Sequence, residues 1–152
     1  MTDVTFYLLD KADEAQPAHW LLACQLAARC YRKRQKCIVM CSDKASAEAF
    51  DELLWQQPLD SFVPHNLTGE GPKGGAPVEI SWQSAETAQR PTVINLADAL
   101  PERLQSYRQI FDFVPAEESA KQRARDRYKH YRAAGMTMHT LPASSIDEKT
   151  DG

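Results

Sequence analysis

The feature that most constrains this chain is an alternation. Short runs of β-branched and aromatic residues, each about the length of a buried strand, are separated by stretches with helical periodicity. Residues 4–9 (VTFYLL) are the first strand run, closed by Asp10. Over 13–34 apolar residues recur at helical spacing through Trp20, Leu21, Ala23, Cys24, Ala27, Cys30 and Tyr31. Pro17 lies near the start of that helix, where its missing N–H costs little. Residues 37–41 (CIVMC) are continuously apolar, as a parallel strand buried on both faces is. Ser42 then reads as an N-cap, with Asp43 in the first turn of a helix running to Trp55.

The second half repeats the pattern. Residues 56–77 are rich in Pro and Gly and show little periodicity, whereas 78–82 (VEISW) and 92–96 (TVINL) read as strands. A helix is expected over 100–107 and a strand over 109–114 (QIFDFV). Pro115 opens a helix from about Ala116 to Ala134, which Gly135 stops. Strands alternating with helices imply an α/β architecture: one mostly parallel sheet with helices on both faces. The expected organisation is a single domain over residues 4–141 and a disordered tail over 142–152, which is polar and built of small residues.

Composition narrows the function classes. The 152 residues are 43% hydrophobic and 26% charged with a net charge of −3, so a uniformly basic DNA-coating protein is excluded. Apolar stretches fall far short of the roughly 20 residues of a membrane span, and MTDVTFYLLD lacks the basic cluster of a secretory signal. A soluble cytoplasmic domain remains. Cys24, Cys30, Cys37 and Cys41 have spacings that match no paired zinc motif, and they read as buried free thiols. Period-2 geometry places Cys37 and Cys41 on one strand face.

Residues 69–75 (GEGPKGG) contain G-x-G-x-x-G, but that motif holds phosphate only between a strand and a helix N-terminus. Here a strand run follows, Pro72 lacks an N–H donor, and Glu70 puts negative charge where a phosphate would sit. The segment reads as a tight surface connection whose glycines supply positive-φ turns, with no nucleotide site. No nucleophile or metal motif is present, and His65 reads as a residue holding loop carbonyls. No catalytic residue, cofactor or metal is expected.

The informative element is the last long helix. It carries Lys121, Arg123, Arg125, Arg127, Lys129 and Arg132 against Glu117, Glu118 and Asp126, a local charge of +3 on a net-acidic chain. Acids at the helix start and bases toward its end fit the helix dipole. At 100° per residue, Lys121, Arg125, Tyr128, Lys129 and Arg132 share a stripe about 100° wide, while Ala120, Ala124 and Tyr131 form the face that would meet the sheet. A solvated helix face accounts for such a stripe; so does a surface for an acidic peptide or a nucleic-acid backbone.

Three segments resemble the chi subunit family of bacterial DNA polymerase III: TFYLLD over 5–10, DELLW with SFVPHNLTGEGPKGGAPVEISW over 51–82, and DFVPAEESAKQRARDRYKHYRAAG over 112–135. The resemblance implies a Rossmann-like α/β fold that uses no nucleotide. It further implies a non-catalytic replisome adaptor that pairs with the psi subunit of the clamp loader. Its second partner is then the acidic C-terminal tail of single-stranded-DNA-binding protein, so that DNA is contacted only indirectly. Carried over by position, the psi-facing surface includes Trp55, Phe62 and Pro64, and the tail-binding surface includes Lys121, Arg125, Tyr128 and Lys129. Arg125 would then hold the terminal carboxylate, the lysines would attract the preceding aspartates, and an apolar pocket beside Tyr128 would take the last aromatic ring. Arg123 and the segment past Met136 depart from the family pattern. The alternative is a direct nucleic-acid-binding module using the same helix.

Overall fold

The computed structural model describes residues 2–9, 18–58, 62–71, 75–82, 87 and 89–147. Its strands are β1 (Asp3–Leu8), β2 (Cys37–Met40), β3 (His65–Leu67), β4 (Val78–Ser81), β5 (Thr92–Asn95), β6 (Gln109–Val114) and β7 (Thr137–Pro142). The helices are α1 (Ala18–Arg32), α2 (Lys44–Gln56), α3 (Glu118–Ala133) and the short α4 (Ser144–Asp147). All seven strands join one sheet in the order β3-β4-β2-β5-β6-β1-β7, and every neighbouring pair is parallel. The expected α/β architecture is therefore present, and the sheet is parallel throughout.

Strand alternation divides the core into two layers. Tyr7, Cys37, Val39, Ile80, Ile94, Phe111 and Phe113 point to the face covered by α1 and α2. Val4, Phe6, Ile38, Met40, Val93 and Ile110 point to the face covered by Ala124 and Tyr131 of α3. Burial on both sides is why these strands are mostly apolar, and β2 wholly so. Cys24, Cys30, Cys37 and Cys41 are all buried free thiols, with Cys37 and Cys41 in the same layer.

One residue breaks the apolar run of β6. Asp112 is fully buried, on the α3 face, and takes a bidentate contact from Arg127, Nε to Oδ2 and Nη2 to Oδ1, both at 3.0 Å. Tyr131 Oη donates to Oδ2 at 2.8 Å, Asn95 Nδ2 donates to Oδ2 at 3.2 Å, and the Phe113 N–H donates to Oδ1 at 2.7 Å. Arg127 Nη1 continues to the Asp98 carbonyl at 2.9 Å. Burial lowers the Arg127 pKa, but the facing Asp112 carboxylate more than offsets it, and the net shift is upward. Two turns of α3 are thereby pinned to β6 and to the exit of β5.

Several expectations need correction. The N-cap of α2 is Asp43, not Ser42: Asp43 accepts from the Ser46 N–H at 2.8 Å, while Ser42 Oγ accepts from the Asp98 N–H at 3.1 Å. The helix expected over 100–107 shrinks to a 3-10 turn at Leu104–Ser106. Arg103, at φ +57°, sits in the left-handed region and stops helical propagation upstream. β3 lies inside the stretch read as irregular, because three residues are too short to show a period. The tail expected from 142 onward instead starts with the end of β7 and the turn of α4, where Ile146 is buried against the α1 layer. β7 is an edge strand with mostly exposed side chains, so it carries little apolar signal. The expected helix start near Asp13 with Pro17, the middle of the glycine loop at 72–74 and the tail from 148 on lie outside the described residues.

The glycine loop joins β3 to the adjacent parallel β4, so a strand follows it where a phosphate site would need a helix. Gly69 and Gly75 have φ of +86° and +78°. Asn66 ties the loop together, accepting from the Ala76 N–H at 2.7 Å, and a Cβ on Gly71 would collide with the Asn66 side chain.

Two predictions follow from this packing. Arg127→Ala leaves the Asp112 carboxylate buried without its main partner and should cost about 3–5 kcal/mol in urea unfolding. Alkaline pH should also destabilise the fold, because burial pushes the Cys24 and Cys41 thiols up to about 12, against 9.0 for exposed thiols. Between those values the unfolded chain releases protons that the folded chain keeps. Each thiol should thus remove up to about 1.4 kcal/mol of stability per pH unit above 9, measured as urea midpoints against pH.

Candidate functional site

Two surface features stand at opposite edges of the sheet. The first is a hollow of about 790 Å³ between α3 and the C-terminal ends of β1 and β6, with Thr140 of β7 on its border. Strand ends converge there because all strands run parallel, and crevices in such sheets form outside their carboxyl ends. Phe6, Leu8, Leu9, Val114 and Ala124 supply an apolar floor, and Leu8 is 44% exposed. Tyr128 forms one wall, its ring 5.4 Å from that of Phe6.

Cations crown this floor. Lys121, Arg125 and Lys129 line the hollow from α3, with Arg125 and Lys129 exposed. None of the three makes an ion pair among the described residues. Arg125 is steadied only by a 3.5 Å contact from Nη1 to Gln122 Oε1. The start of α3 is fixed by Glu117, which accepts from the Ala120 N–H at 2.9 Å. All four residues expected from the cationic stripe, Lys121, Arg125, Tyr128 and Lys129, thus meet around one hollow. Two other cations of the helix are engaged: Arg127 by Asp112, and Arg123 by Asp98 at 3.3 Å.

The floor was not singled out in the sequence.

The second feature is aromatic. Trp55 at the end of α2 is 57% exposed and Phe62 is 64% exposed, and their ring centroids lie 5.8 Å apart. Trp55 packs on His65 at 4.6 Å. The His65 imidazole is itself buried: Nδ1 lies 2.7 Å from the Val63 carbonyl, and Nε2 lies 3.3 Å from both the carbonyl and the carboxylate of Asp51. Burial raises the Asp51 pKa, partly opposed by His65. His65 therefore holds loop carbonyls, as expected, and braces Trp55 from below. Pro64, half-buried, keeps the strand entry between Phe62 and His65.

Among the described residues no three His, Cys, Asp or Glu side chains are grouped as metal ligands, and no helix is long and apolar enough to cross a membrane.

A family model described as "DNA polymerase III chi subunit, HolC" matches residues 1–139. The chain belongs to the DNA polymerase III chi subunit family. Curated relatives bearing the name DNA polymerase III subunit chi agree. The Escherichia coli protein is 43% identical over 92% of this chain and 97% of its own length. The relative from Haemophilus influenzae is 42% identical over 78% of this chain and 83% of its own length, and that from Pseudomonas aeruginosa is 31% identical over 93% and 99%. Among solved structures, the crystal structure of T4 UvsW is similar in fold alone, with a TM-score of 0.59 at 11% identity. That match covers 93% of this chain, which spans 41% of the T4 protein.

The aromatic pair should behave as surface rather than core. Phe62→Ala is expected to change stability by less than about 0.5 kcal/mol, whereas Phe50→Ala, with its ring fully buried against Trp20, should cost about 3–5 kcal/mol. Thermal unfolding of the two variants makes the comparison.

Proposed function

We propose that this protein is a non-catalytic, cytoplasmic adaptor of the replisome. On this reading it binds the psi subunit of the clamp loader through Trp55, Phe62 and Pro64. It binds the acidic C-terminal tail of single-stranded-DNA-binding protein through Lys121, Arg125, Tyr128 and Lys129. The observation that carries the proposal is the hollow beside α3: three cations that make no ion pair among the described residues stand over an apolar floor large enough for an aromatic ring. A carboxylate-ended peptide with acidic residues and a terminal aromatic complements both halves of that site. Exposed aromatic rings on a rigid, Pro-containing segment are the anchors expected of a protein interface, and they lie at the far edge of the sheet from the hollow. Two partners can then be held at once.

The rival reading, direct nucleic-acid binding by α3, is weaker on the geometry. Tyr128 is half-buried against Phe6 and forms a wall, so its face is not an open stacking platform.

Calorimetry tests the tail site with a peptide ending in several aspartates and a C-terminal phenylalanine, beside the same peptide amidated at its end. The acid form should bind more tightly, Arg125→Ala should cost on the order of 1.5–3 kcal/mol, and added salt should weaken binding. Phe62→Ala should leave the peptide affinity intact and weaken psi. Equal affinity for the two peptides would overturn the carboxylate role of Arg125.

A further inference from the structure

A third feature lies at the opposite pole of the sheet, outside the N-terminal ends of the strands. The loop from α1 to β2 and the segments that lead into β5 and β6 enclose a groove of about 640 Å³. Arg34 and Lys36 enter it from the first loop and Arg108 from the segment before β6, and all three are exposed. None makes an ion pair among the described residues. The one acid in the groove lining, Asp3, faces His139 at 3.3 Å.

The helix dipole does not account for these cations. Arg29 and Arg32 occupy the last turn of α1, where the dipole favours positive charge, but Arg34 and Lys36 lie beyond the helix and Arg108 comes from another segment. Arg34 also sits at φ +60°, in the left-handed region where glycine is the unstrained choice, with its N–H bonded to the Tyr31 carbonyl at 2.9 Å. A long cationic side chain is kept at a position whose backbone disfavours any side chain. Arg108 is set just as firmly, since its N–H donates to the Pro91 carbonyl at 2.7 Å.

We propose that this groove is a contact site for the phosphate backbone of single-stranded DNA, separate from the hollow beside α3. The lining decides between polyanions. Gln35, Pro91, Thr92 and Gln109 accompany the cations, with no aromatic or leucine side chain such as Phe6, Leu8 and Leu9 supply in the hollow. Such a groove offers an acidic peptide with an aromatic end no place for its ring, while a phosphodiester chain needs only charge and hydrogen-bond donors. The chain's family works at DNA, which makes that the polyanion at hand. Contact through phosphates alone carries no base preference and depends strongly on salt.

Fluorescence anisotropy with a labelled oligothymidylate of about 20 nucleotides tests the site on the full chain, because single folds cover no more than that. The triple variant Arg34→Ala, Lys36→Ala, Arg108→Ala should bind at least about tenfold more weakly, and three lost phosphate contacts should reduce the log–log salt slope by about 2. Lys121→Ala with Lys129→Ala should leave oligonucleotide affinity unchanged. Arg34→Gly supplies a fold-safe check: it should raise the melting temperature while weakening binding. Failure of the unaltered protein to bind at about 50 mM salt, equal binding by the triple variant, or loss on substituting the α3 lysines would each overturn the proposal. So would competition by an oligoaspartate peptide as strong as that by unlabelled oligonucleotide. The triple variant should keep its affinity for the phenylalanine-ended peptide, so this proposal and the tail site fail independently.

Discussion

An aspartate carboxylate in the middle of a buried strand is tolerable only if its charge is fully met, since burying an ion costs several kcal/mol before its partners offset it. Asp112 meets that condition with five donors: two from Arg127 and one each from Tyr131, Asn95 and the Phe113 backbone. Apolar packing between α3 and the sheet is non-directional and would accept small rotations of the helix. A bidentate guanidinium–carboxylate pair does not, because both nitrogens must meet both oxygens in one plane. The rotation of α3 about its axis is therefore set here, and with it the direction in which Lys121, Arg125 and Lys129 leave the helix.

The rest of the molecule is arranged around that setting. With α3 fixed over β1 and β6, the carboxyl ends of those strands are left partly uncovered, and the apolar residues there become the floor of the hollow. Leu8 stays partly exposed, and none of the described residues closes that gap. At the far edge, α2 and β3 present Trp55 and Phe62 on a base formed by the buried His65–Asp51 contact. A parallel sheet thus separates three kinds of surface by its own directionality: an apolar and cationic crevice at the carboxyl pole, a cationic groove without aromatic or leucine lining at the amino pole, and an aromatic face at one edge.

Much of this was legible without coordinates. The strands β1, β2, β4, β5 and β6 announce themselves as short runs rich in β-branched and aromatic residues, because strands buried on both faces leave few positions for polar side chains. The stripe on α3 was equally clear, since Lys121, Arg125, Tyr128 and Lys129 are spaced by the helix itself. What failed were the elements whose existence depends on a neighbour. β3 and β7 are short or polar strands at the two edges, formed because β4 and β1 offer open hydrogen-bonding edges. The helix expected over 100–107 was lost to a left-handed Arg103 that no propensity reports. Arg127 reads in the sequence only as one of six cations on the helix; its spacing shares the face of Ala124 and Tyr131, but an angle does not show that Asp112 waits there.

The sequence by itself determined the α/β architecture, the two-sided burial of the central strands, the cationic face of α3 and the family to which the chain belongs, because each is written in local periodicity or in contiguous motifs. Only the tertiary structure decided which cations are free. Arg127 and Arg123 are taken up by Asp112 and Asp98, while Lys121, Arg125 and Lys129 are left facing a hollow whose floor includes Phe6, Leu8 and Leu9, more than a hundred positions away in sequence. Pairing of charges is a matter of distance in space, which no one-dimensional pattern encodes.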